Sequence, residues 1–85
     1  MKTIRINADE ALWRNSMGII ERWLVADGET TRKGRAVAQV RIEGALHDIL
    51  APAAGRLIIA AHTLAVIEPG LLLATIAVGA EIAAE

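Results

Sequence analysis

Ala36-Val37-Ala38-Gln39-Val40-Arg41-Ile42-Glu43-Gly44-Ala45-Leu46-His47-Asp48-Ile49-Leu50-Ala51-Pro52-Ala53-Ala54-Gly55 is the stretch whose reading decides the fold. Ala36, Ala38, Val40 and Ile42 fall on one face and Gln39 and Arg41 on the other, the period-two pattern of a half-buried strand. A second strand follows, joined to the first at Glu43-Gly44 and closed by the corner from Pro52 to Gly55. Glycine takes positive φ at little cost, and tight hairpin turns of the primed types require it. The pair therefore reads as a hairpin with a protruding tip.

Outward from the hairpin, the whole chain has 85 residues. That is the size of one small domain, where burial of apolar surface only just outweighs chain entropy. Hydrophobic residues make up 54% of it, yet Trp13 and Trp23 are the only aromatics, so small aliphatic side chains must fill a thin core. Nine basic and ten acidic residues leave a net charge of −1 with no run of one sign. No electrostatic footprint for nucleic acid results. The absence of cysteine excludes disulfides, thiolate chemistry and cysteine-ligated zinc. Ile4 and Ile6 alternate with Arg5 near the start, without the continuous apolar run of a secretory signal, so a cytoplasmic location is expected. The longest apolar tract, Leu57 to Ile67, stops at Glu68-Pro69-Gly70 and falls well short of the ~20 residues needed to span a bilayer.

Along the chain, residues 2 to 6 read as a first strand, and Asn7 or Asp9 caps one helical turn through Trp13. Ile19 to Val25 is β-rich and leads into Asp27-Gly28, a strong turn signal. Lys33 to Val40 then matches Pro69 to Ile76 at a spacing of 36 residues, glycine on glycine and Ala38 on Ala74. Two copies are too few for a solenoid, which needs at least about three repeats. The expectation is all-β: a flattened barrel or sandwich of two small antiparallel sheets related by a quasi-two-fold internal repeat. The second copy has Ala61-His62-Thr63-Leu64 where an Asp-Gly or Glu-Gly turn belongs, and Leu57 to Gly70 runs a residue short, which predicts a tightened loop. The alanine-rich end, 78–85, reads as a frayed tail, a strand extension or a linker.

Over residues 17 to 77 the chain resembles the lipoyl and biotinyl carrier domains. The resemblance rests on the Ala51-Pro52-Ala53-Ala54-Gly55 corner, on the Asp27-Gly28-Glu29-Thr30-Thr31-Arg32-Lys33-Gly34 loop, and on the repeat. Family members carry a swinging-arm cofactor, lipoate or biotin, on a lysine at the hairpin tip in an acidic-Lys-Ala context. Their ligases read that lysine at the apex of a rigid hairpin. In this sequence the triplet is Glu43-Gly44-Ala45, so the attachment turn is vacant and neither cofactor is expected. The resemblance does not separate lipoyl from biotinyl ancestry.

The remaining candidate chemistry is thin. The two lysines, Lys2 and Lys33, lie outside the tip and read as solvated. His47, Asp48 and His62 are the only candidate metal or acid–base residues, but neighbours on a strand point to opposite faces, so structural roles and no metal site are expected. Ser16, Thr30, Thr31 and Thr63 fit no nucleophile–base pattern, and a non-catalytic domain follows. The resemblance implies that Ile49 and Ala51 point inward, which leaves Leu46, Asp48 and Leu50 facing out, and Leu71 replaces Arg35 in the second copy. These three leucines are the candidate partner surface. The expected role is that of an unmodified docking or assembly module beside a 2-oxo acid dehydrogenase or an acyltransferase or carboxylase complex, its partners being dehydrogenase or acyltransferase components or further copies of the chain. The alternatives are a swinging-arm carrier whose lysine has been lost or replaced, and a folded piece of a larger acyltransferase component.

Overall fold

The structure is a computed structural model that describes residues 2–79. It contains eight strands: β1 (Lys2–Asn7), β2 (Gly18–Trp23), β3 (Thr30–Thr31), β4 (Ala36–Ile42), β5 (Ala45–Leu50), β6 (Gly55–Ile59), β7 (Val66–Ile67) and β8 (Leu72–Val78). One short helix, α1 (Glu10–Trp13), lies between β1 and β2. The strands form two antiparallel four-stranded sheets, ordered β1-β8-β6-β3 and β5-β4-β2-β7. The architecture is a sandwich rather than a closed barrel.

The repeat visible in the sequence is the symmetry of this sandwich. Adding 36 to the numbers of β4 gives β8, and the same step takes β3 to β7. In cross-strand register, Arg22 pairs with Gln39 as Ile58 pairs with Thr75, and Trp23 with Ala38 as Ile59 with Ala74. β1 takes the place of β5: Lys2 meets Val78 as Ala45 meets Ile42, and the two strands share one pattern of burial. Even the irregularities repeat, since the bulge between Ala36 and Ala38 opposite β5 recurs opposite β1. That bulge turns both Val37 and Ala38 inward, and likewise both Leu73 and Ala74.

Each half closes over the other. Gly28 donates its backbone N–H to Leu57 O and Leu57 donates to Glu29 O, while Leu64 donates to Ile20 O and Ile20 to Ala65 O. The second copy therefore makes the same turn without an Asp-Gly signal, holding Leu64 at φ 70° where Gly28 has 85°. No tightening is needed: the odd residue lies in the first copy, where a bulge between Ile20 and Arg22 makes β2 one residue longer than β6.

The core is one apolar cluster that includes Ile6, Ile20, Val40, Ile49, Leu57, Ile67, Leu73 and Ile76. The small helix departs from the two-fold. Asp9 caps it by accepting from the Ala11 N–H at 3.0 Å, and Arg14 ends it in the left-handed region at φ 53°. Its purpose is to seat Trp13, which is fully buried and donates from Nε1 to Ile67 O at 3.1 Å. Gly18 makes the room, because a Cβ there would stand 2.7 Å from that nitrogen. No helix among the described residues is long and apolar enough to cross a membrane. Of the alanine-rich end only Val78 and Gly79 fall within the described residues, Val78 as the last residue of β8; 80–85 lie outside them.

Candidate functional site

The hairpin between β4 and β5 ends in a two-residue turn bracketed by the Ile42–Ala45 pair. Glu43 has φ 51° and Gly44 φ 82°, the double positive φ of a type I′ turn, whose twist matches that of the strands. A left-handed glutamate is uncommon and needs support. Ser16, in the segment after α1, supplies it by donating from Oγ to Glu43 Oε2 at 2.6 Å. Arg41 adds a second tie from Nη1 to Gly44 O at 3.2 Å. The apex is thus fixed from both sides, while Gly44 itself projects into open space with nothing within 4 Å of where a Cβ would stand.

The apex lies at the end of the sandwich away from the Lys2–Val78 pair, since Gly55, which follows the far end of β5, packs against Ala77 beside that pair. Lys33 sits in the turn before β4, where the neighbouring Gly34 donates to Ala51 O beyond the far end of β5. A strand of that length measures about 20 Å at about 3.4 Å per residue, so Lys33 is remote from the tip. Two shallow grooves flank the hairpin. One of about 310 Å³ runs beside the tip between α1 and β5, lined by Leu12, Arg14, Glu43 and His47. The other, of about 290 Å³, lies where the edges of the two sheets meet and is lined by symmetry-related positions, Arg5 with Asp48 and Asn7 with Leu50.

The candidate acid–base residues do not converge. His47 is half-buried on β5, whereas His62 is exposed in the loop after β6 with Nδ1 3.0 Å from Thr63 O. Asp48 accepts from Gln39 Nε2 at 3.4 Å on the outer surface. Among the described residues no three His, Asp or Glu side chains gather at one point. Of the candidate threonines, Thr31 is buried, and Thr30 and Thr63 are exposed.

The three candidate surface leucines are exposed, Leu46 at 48%, Leu50 at 55% and Leu71 at 44%. They do not form one patch. Leu46 and Leu50 stand at opposite ends of β5, and Leu71 leads into β8 of the other sheet, where it accepts from the Ala8 N–H. What the structure sets beside Leu46 is a row across the outer face of its own sheet: Leu46 pairs with Arg41, Arg41 with Ile19, and Ile19 with Val66. Sequence reading missed Ile19 and Val66 because β7 is two residues long and nothing local reveals that it pairs with β2. Arg41 lies among these apolar neighbours with its charge answered by Glu21, Nε to Oε1 at 3.2 Å. Compared with protein-family models and with curated protein sequences, the chain matches none.

Proposed function

We propose that this chain is an unmodified lipoyl/biotinyl-like module that acts through protein contacts, as a docking or assembly element beside a dehydrogenase, acyltransferase or carboxylase complex. The supporting observation is the apex. An I′ turn, tied by Ser16 and Arg41, projects Gly44 into solvent at the end of the sandwich away from the Lys2–Val78 pair. That is the place from which the family resemblance has a cofactor swing, and Gly44 offers no amine for an amide bond. The neighbouring surface is suited to contact, with exposed leucines at both ends of β5. Intact mass of the protein purified from a host with active lipoate and biotin ligases tests the reading. The expected mass is that of the bare chain. A gain equal to a lipoyl or biotinyl group, mapped to Lys33 or Lys2, overturns it in favour of a carrier with a displaced attachment site.

A further inference from the structure

We infer that the outer face of the β5-β4-β2-β7 sheet is a self-association surface, on which a second copy of this chain stacks its own β5-β4-β2-β7 face. The inference names the partner for the Leu46 and Leu50 part of the contact surface proposed above. It rests on the association half of that reading and not on the carrier resemblance.

The molecule's own symmetry provides the control. The row Leu46–Arg41–Ile19–Val66 has as its counterpart in the other sheet Thr3–Ala77–Arg56–Thr30, in the same register. Thr3, Arg56 and Thr30 are exposed and polar. The fold therefore accepts threonine or arginine at these places, and the apolar residues of one sheet answer something other than folding. Leu46, Ile19 and Val66 are 48%, 38% and 58% exposed, and Leu50 at the far end of β5 extends the apolar rim. An apolar patch of this kind on a small domain marks an interaction surface.

Charge selects the occupant. The face carries Glu21, Arg22, Arg41 and Asp48, two of each sign, with Arg41 held by Glu21 and Asp48 hydrogen-bonded to Gln39. A face with no net charge, on which Arg41 is paired with Glu21 while Arg22 and Asp48 keep their charges for a partner, stacks on a copy of itself without net repulsion. The positions are also self-complementary. Arg22 and Asp48 share one row, both opposite Gln39, and Ile19 and Leu46 share the next, both opposite Arg41. A two-fold axis lying along β4 sets Ile19 against the second copy's Leu46 and Arg22 against its Asp48, in the reciprocal manner of an isologous contact, with Arg41 and its Glu21 partner on the axis and Val66 of β7 at the margin.

Size sets the strength. With the axis along β4 the strands that overlap are β5, β4 and β2; three strands at about 4.8 Å and three alternate residues at about 6.7 Å give a face of about 290 Å² in projection. Stable interfaces bury about 800 Å² per partner. The expected state is thus a concentration-dependent monomer–dimer equilibrium rather than an obligate dimer.

Sedimentation velocity of the full chain across micromolar to millimolar concentrations tests the inference. The wild type is expected to pass from monomer to dimer. The variant Ile19→Arg/Leu46→Thr/Val66→Thr, which copies the other sheet's row, is expected to keep its circular dichroism and to dimerise at least about tenfold more weakly. Asp48→Arg alone is expected to weaken the dimer by setting like charges against each other across the axis, and Arg22→Asp/Asp48→Arg to restore it. A wild type that stays monomeric at every concentration overturns the inference and leaves the face to some other occupant. A dimer that survives the triple variant also overturns it, as does an Asp48→Arg defect that the double exchange fails to rescue.

Discussion

Leu64 occupies the position of Gly28 in the opposite half of the molecule. Each holds a left-handed backbone, φ 70° and 85°, and each donates its N–H to the strand it covers, to Ile20 O at 2.7 Å and to Leu57 O at 2.6 Å. One copy meets the demand of the turn with glycine; the other forces a leucine into it. A left-handed L-residue costs about 1–2 kcal/mol.

Leu64→Gly is accordingly expected to stabilise the protein. The relief of strain exceeds the entropy glycine gains in the unfolded chain, about 0.5–1 kcal/mol, and Leu64 is mostly exposed, so little burial is lost. The net gain is up to about 1 kcal/mol, a rise in Tm of at most about 4–8 °C for a domain of this size. Calorimetry checks it, and a lower Tm would show that the leucine side chain holds the turn.

A second inequality between the halves lies in the core. Thr31 and Ile67 are equivalent positions, both buried, and the Thr31 hydroxyl has no hydrogen-bond partner. A buried unsatisfied polar group costs about 1–3 kcal/mol. Thr31→Val, which keeps the shape and removes the hydroxyl, is expected to raise the urea midpoint by an amount equivalent to about 1 kcal/mol, with the m-value unchanged. A fall in the midpoint would contradict this.

The two tryptophans separate by burial. Trp13 is sealed in, so Trp13→Phe removes the indole bond to Ile67 O and opens a cavity beside Gly18, an expected loss of about 2–4 kcal/mol. Trp23 is half-buried and donates to Ala61 O at 2.8 Å. Water replaces that bond more readily, so Trp23→Phe is expected to cost about 1 kcal/mol. Equal denaturation midpoints for the two variants would refute the ranking.

Much of this fold was legible in the sequence because local signals agreed with it. The alternation from Ala36 to Ile42, Gly44 at the turn and the 36-residue echo of Ala38 in Ala74 give the hairpin and the paired sheets. What stayed hidden was decided by tertiary contact. Leucine is no turn signal, so the turn at Leu64 emerges only from its bond to Ile20. The bulge at Glu21 leaves no mark in composition, and it carries the odd residue that the sequence places between Leu57 and Gly70. The outward direction of Leu46 and Leu50 follows from the alternation that the family resemblance implies, but the neighbours of Leu46 depend on β7, too short for any periodicity. Leu71 faces solvent as well, in the other sheet, a separation that strand order alone reveals.

The central claim, that Gly44 fills a vacant attachment turn, is tested most directly by Gly44→Lys. Open space surrounds the site, and its φ of 82° makes the substitution cost on the order of 1 kcal/mol, so a folded variant is expected. The purified variant is incubated with lipoate ligase or biotin ligase, the cofactor and ATP, and its intact mass is measured. A gain of one lipoyl or one biotinyl group on the introduced lysine, absent from the wild type, is the expected result. A folded variant that neither ligase modifies would contradict the claim.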